Sequence, residues 1–107
     1  MKELDENNFD SFVKENKIAV VDFWAPWCMP CLALEPVIKE IDKKMPEVAF
    51  GKLNVDENVE LAKKYGIMSI PTIIIFVNGM EVDRIIGIAS EEEIVDRISS
   101  YKGNFFP

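Results

Sequence analysis

Apolar strand-like runs alternating with amphipathic helical stretches, closed by a hairpin and one more helix, predict an α/β domain. Its centre is a mixed sheet of four to five strands, with helices on both faces. Three stretches carry this expectation. "KIAVVDFW" (17–24) and "VAFGKLNV" (48–55) are nearly continuous apolar runs, the pattern of strands buried on both faces. Between them, Leu34, Ile38, Ile41 and Met45 recur at helical steps while Lys39, Glu40, Lys43 and Lys44 fill the opposite side. "TIIIFV", then Asn78-Gly79, then "MEVDRIIG" is a hairpin with a type I′ turn signal.

The remaining elements follow in chain order. Residues 1–4 offer a short edge strand, whose formation decides between four strands and five. A helix is expected over 7–16, capped by Asn7 or Asn8, with Phe9, Phe12 and Val13 on its apolar face. The 29–44 helix contains Pro36, which removes a backbone hydrogen bond and predicts a kink. Asp56 is a candidate cap for a helix running through Tyr65 and ended by Gly66. Ser90-Glu91-Glu92-Glu93 reads as a capping box opening a last helix that turns Ile94, Val95, Ile98 and Tyr101 inward. The acidic triplet suits the helix dipole rather than a metal. The tail "GNFFP" is expected to fray.

The chain has 107 residues, 49% hydrophobic and 29% charged, which fits one globular domain spanning 1–107. Its formal net charge of -7 argues against nucleic acid and against anionic membranes as partners. "MKELDENNFD" lacks the apolar core of a secretory signal, and no apolar run approaches a bilayer span, so a cytoplasmic location is expected. The sequence has no histidine, which removes Ser-His-Asp and Cys-His catalysis and every His-ligated metal site.

Both cysteines lie in "FWAPWCMPCLALEP" (23–36), as Cys28 and Cys31. A structural staple is a poor use of them, since a two-residue gap closes almost no loop. A metal or cluster needs about four ligands, which one chain supplies only with carboxylates or by sharing a site with a second copy. A redox pair needs two thiols in bonding reach with one stabilised as thiolate. Position favours that use: the pair follows a buried strand and opens a helix, so unsatisfied N–H groups and the positive dipole end lie behind Cys28. Pro30 falls in the first turn, where its missing N–H costs little. Cys31, one turn inward, is expected to be more buried and less reactive.

Other residues admit two readings each. Asp22 is either a strand-end carboxylate reaching solvent or a carboxyl under the dithiol, raised by desolvation. Lys52 is either an exposed residue or a partner to Asp22. Pro71 opens a strand, as a trans proline or otherwise. Trp24 and Trp27 are either core or, for Trp27, a wall beside the reactive sulfur. Met29 is either a plain exposed first-turn residue or one that stiffens the turn and adds a soft apolar contact beside Cys28.

"VVDFWAPWCMPC", "KLNVDEN", "YGIMSIPTIIIFVNG" and "IIG", in this order and spacing, resemble the thioredoxin family over nearly the whole chain. The resemblance implies the thioredoxin fold and a protein-disulfide reductase. By it, Cys28 is the exposed nucleophile, Cys31 the resolving thiol, Asp22 the buried acid–base residue with Lys52 its neighbour, and Pro71 a cis-proline facing the disulfide. Trp27, Ile70, Gly87 and Ile88 then line a shallow groove for a substrate strand, with Met29 and Pro30 at its rim. The family's usual C-G-P-C is here C-M-P-C. No G-x-G-x-x-G is present, so no nicotinamide or flavin is expected through that motif, and no cofactor or metal is expected. The implied partners are disulfide-containing proteins and a separate thioredoxin reductase-type electron donor, with the chain a monomer. A glutathione-using glutaredoxin-like enzyme fits less well, given Trp27 and Met29 and no visible tripeptide-binding set. A fold partner or chaperone subunit, in which the cysteines matter little, is the lesser alternative.

Overall fold

The computed structural model describes residues 1–103. Five strands form one sheet: β1 (Lys2–Leu4), β2 (Ile18–Trp24), β3 (Ala49–Asn54), β4 (Thr72–Val77) and β5 (Met80–Ile86). Their order across the sheet is β1-β3-β2-β4-β5. β1 and β2 run parallel to β3, while β4 is antiparallel to both β2 and β5. Four helices pack on the sheet among the described residues: α1 (Phe9–Glu15), α2 (Met29–Lys44), α3 (Val59–Lys64) and α4 (Glu91–Lys102). The short first strand therefore forms and settles the count at five.

Period-two alternation along β2 divides the core. Ile18 and Val20 point to one face, where they pack with Leu34, Ile38 and Ile41 of α2 and Ile94 and Ile98 of α4. Ala19, Val21 and Phe23 point to the other, against Phe9, Phe12 and Val13 of α1. On this second face Phe9, Tyr65 and Phe76 pack mutually. The Phe9–Phe76 and Tyr65–Phe76 rings meet edge-on at 5.7 and 5.6 Å, the arrangement favoured by the ring quadrupole. Gly51 is where β1 lies closest: a Cβ there would stand 2.6 Å from Leu4 Cδ1 and 3.2 Å from Phe12 Cε2.

The ends of the elements show which local signals were right. Asn8 is the N-cap residue of α1, but its side chain makes no capping bond. Its Oδ1 instead accepts from the Asp5 N–H at 2.8 Å, tightening the turn before the helix. α2 continues through Pro36. The cap of α3 is Asn58, not Asp56, and its helix stops at Lys64, with Gly66 at φ 62° turning the chain away. Asp56 is drawn elsewhere, as described below. The hairpin has Asn78 and Gly79 both at positive φ, as a type I′ turn requires. Half of the capping box is made: Ser90 Oγ accepts from the Glu93 N–H at 3.1 Å. The Glu93 carboxylate turns instead toward Arg97, one turn along. The fraying expected at the tail falls, for 104–107, outside the described residues.

Candidate active site

The site forms where β2 ends and α2 begins. β2 is buried almost to its end, and the chain leaves the sheet through Ala25-Pro26-Trp27 before the helix starts. Cys28 is the N-cap residue of α2, with extended backbone angles. Its N–H donates to the Ala25 carbonyl at 3.1 Å, its carbonyl accepts from the Leu32 N–H at 3.1 Å, and its Sγ accepts from the Cys31 N–H at 3.2 Å. Met29 and Pro30 occupy the first helical positions, where proline loses no bond. One turn from the cap, Cys31 is disulfide-bonded to Cys28, with Cα atoms 5.2 Å apart. The N-terminal N–H groups and dipole of a sixteen-residue helix thus converge on Cys28.

Both sulfurs are well covered: Cys28 is 5% exposed and Cys31 1%. The order between them is as expected, but Cys28 is less open than the expected exposed nucleophile. The cover comes from the segment before β4. The Ile70–Pro71 peptide bond is cis, and the Ile70 carbonyl oxygen lies 3.8 Å from Cys28 Sγ. Pro71 is buried, and its carbonyl accepts from the Gly87 N–H at 2.8 Å. Gly87, at φ +88°, holds a backbone conformation in which L side chains are strained. The Gly87–Pro71 hydrogen bond thus ties the residue after Ile70 to the end of β5, just before the exposed Ile88.

Around the sulfurs the surface is apolar. Trp27 and Met29 are 67% and 73% exposed, and Ile88 and Leu32 are open too. Trp27, Val55, Ile67, Met68, Ser69 and Ile70 line a depression beside the disulfide. Trp27 is held in place by its indole N–H, which donates to Asp56 Oδ2 at 2.7 Å. Asp56 lies two residues before the α3 cap and is engaged here instead. Met68, the most exposed large apolar residue of the described chain, lies on this rim and was not singled out from sequence. An apolar run with one methionine between Ile67 and Ser69 carries no signal for it.

Asp22 belongs to the opposite category, buried and polar. It shares the β2 face of Ile18 and Val20, the face covered by α2, and is 2% exposed. Among the described residues its Oδ1 has no hydrogen-bond partner. Burial pushes its pKa up to about 7, helped by the nearby Glu35 carboxylate and opposed by the Lys52 ammonium. Lys52 sits beside Asp22 in the parallel β2–β3 register. Its ammonium does not pair with Asp22: it donates to Glu35 Oε1 at 3.0 Å and lies 4.7 Å from the centre of the Trp24 ring. Glu35 was missed from sequence. The available signal was its place four residues after Cys31, on the same stripe of α2.

Among the described residues, no group of three or more His, Cys, Asp or Glu side chains is placed to hold a metal ion. No helix among them is long and apolar enough to cross a membrane.

A family model described as thioredoxin matches residues 1–100. Thioredoxin of Chlamydia pneumoniae is 39% identical over 101 residues, covering 94% of this chain and 98% of that one. Thioredoxin of Rickettsia felis is 43% identical over 96 residues, 88% and 91% of the two chains. Among solved structures, a mutant thioredoxin from Halobacterium salinarum superposes with a TM-score of 0.89 at 34% identity, covering 94% of this chain and 88% of that one. Fasciola hepatica thioredoxin does so with 0.86 at 38% identity, covering 94% and 98%.

Proposed function

The chain belongs to the thioredoxin family and is a thiol–disulfide reductase, and from that premise we propose that Cys28 is its attacking thiol and Cys31 its resolving thiol. The observation that carries the assignment is the place of the two sulfurs on α2: Cys28 at the cap, Cys31 inside the first turn. Only the cap sulfur receives the N-terminal field and the Cys31 N–H together.

In the reduced protein the Cys28 thiolate attacks one sulfur of a substrate disulfide. A Cys28–substrate disulfide forms, and the other substrate sulfur leaves as thiolate and takes a proton. Cys31 then gives its proton to the Asp22 carboxylate and attacks Cys28 Sγ. The second substrate thiolate leaves, and Cys28–Cys31 is left oxidised. Two electrons have moved to the substrate, and a separate thioredoxin reductase-type donor returns them. An acid with a pKa of about 7 suits this task, because it is partly ionised and a useful base at neutral pH.

The substrates are disulfide-containing proteins whose extended apolar segments lie along Trp27, Ile70, Gly87 and Ile88, with Met29 and Pro30 at the edge. Support comes from the exposed apolar rim around otherwise covered sulfurs. Lys52 lies beside Asp22 and, held by Glu35, tempers the rise of its pKa without pairing with it, and Pro71 holds Ile70 against Cys28. The protein works as a monomer in the cytoplasm, and its acidic surface keeps it off nucleic acid and anionic membranes. The test is reduction of insulin in the presence of a dithiol, with Cys28→Ser as the control. Turnover by the wild type that Cys28→Ser abolishes is expected; an inactive wild type contradicts the assignment.

A further inference from the structure

Glu35 sits one helical turn beyond Cys31 on α2 and reaches Lys52 of β3. It is the carboxylate that acts on Asp22, and it holds the cation that Asp22 lacks: Lys52 Nζ lies 3.0 Å from its Oε1, while Lys39 Nζ approaches Oε2 at 3.4 Å. Asp22 forms no ion pair within 4 Å among the described residues, although Lys52 is its register neighbour. The other surroundings of Asp22 are uncharged. Ile73 of β4 is opposite it, and Trp24 follows on the same strand face. On β1, Glu3 is in register with Lys52 but exposed and unpaired to it. Two carboxylates thus compete for one ammonium, and the more solvated one has it.

We infer that Glu35 is a positioning residue for the exchange: it keeps the Lys52 ammonium from closing on Asp22 and sets a second negative charge above it, so that Asp22 keeps an exchangeable proton. The inference rests on the proposed role of Asp22 as proton acceptor for Cys31. An ammonium closing on a buried carboxylate lowers its pKa by about 1–3 units. Asp22 would then stay ionised at neutral pH and be a weak base toward a thiol. With Glu35 holding Lys52, the three groups are neutral in sum while Asp22 is protonated. Ionising Asp22 adds a net negative charge beneath α2, which favours taking a proton from Cys31.

The experiment follows the Asp22 carboxyl carbon by NMR through a pH titration of the oxidised protein, with Asp22→Asn giving the assignment. Wild type, Glu35→Gln, Lys52→Met and the double variant are compared. Glu35→Gln is close in shape and sits at a half-exposed position, so the fold should hold. Its Asp22 midpoint is expected to fall by about one unit or more, and the pH midpoint for resolving a Cys28 mixed disulfide to fall with it. In the Lys52→Met background the same change should move Asp22 less, because only direct repulsion is left to remove. A wild-type midpoint near neutrality that Glu35→Gln leaves in place overturns the role of Glu35 alone. A wild-type midpoint in the ordinary carboxylate range overturns the Asp22 reading, and this one with it.

Discussion

Replacing Asp22 by Asn should stabilise the oxidised protein, by an amount that grows from about pH 4 to about pH 7 and is largest above that. Asp22 is buried, with one carboxylate oxygen lacking a hydrogen-bond partner among the described residues. Its folded pKa is about 7 against an ordinary value of 3.8. Between those values the folded chain binds a proton that the unfolded chain has released, so stability falls as pH rises through this window. A rise of about three in pKa, at ~1.4 kcal/mol each, makes the ionised carboxylate cost on the order of 4 kcal/mol by about pH 8. Below about pH 4 both forms are neutral and the cost is absent. Asn has the carboxyl's shape without the charge, so the variant should gain most of that amount at about pH 8 and little at about pH 4. Guanidinium unfolding across this range checks it, with the slope m unchanged so that midpoints report stability. A wild-type-to-variant difference that does not change with pH would refute the reasoning, because only an ionising buried group produces the pH dependence.

Two further outcomes follow from packing and charge. Gly51→Ala would force a methyl into Leu4 and Phe12; we expect a loss of about 1–3 kcal/mol, with faster amide exchange in β1 as the local sign. Arg97 donates from Nε and Nη2 to both Asp83 oxygens at 2.8 Å and caps the Arg84 carbonyl at 3.1 Å, tying α4 to β5. Because this pair is partly exposed, Arg97→Ala should cost about 1 kcal/mol. The hydrogen bond from Arg97 holds Asp83 below the usual carboxylate range. Its contribution is therefore present above the unfolded pKa and lost as pH falls through the folded one, and thermal unfolding at falling pH should show the variant and wild type converging.

What could be read from sequence and what could not divides along a physical line. β2, α2, the hairpin and α4 were legible because each carries its own periodicity or turn chemistry: Ile18 to Trp24, Leu34 to Ile41, Asn78-Gly79, Ser90 to Glu93. Three residues of β1 are too few for a pattern, and what secures them is pairing with Gly51 to Leu53, far along the chain. Asp56 looked like a cap because its residue type suits one. The structure uses it on Trp27, 29 residues away, and leaves the cap position to Asn58. The cysteine pair was legible from spacing and from its strand-to-helix setting. Asp22 was ambiguous because strand alternation shows which face a residue shares, not whether a helix covers that face. For Glu35 the helical spacing from Cys31 was legible, but not its partner: Lys52 is 17 residues on, brought near only when β3 docks beside β2.

The central claim, that Cys28 attacks and Cys31 resolves, is tested most directly by trapping. Reduced Cys31→Ser and Cys28→Ser proteins are each mixed with an oxidised protein substrate, and covalent adducts are measured by mass spectrometry under non-reducing conditions. Cys31→Ser should accumulate a stable mixed disulfide through Cys28, while Cys28→Ser should form little, its remaining sulfur being one turn inside α2 and 1% exposed. Equal or greater trapping by Cys28→Ser would contradict the assignment.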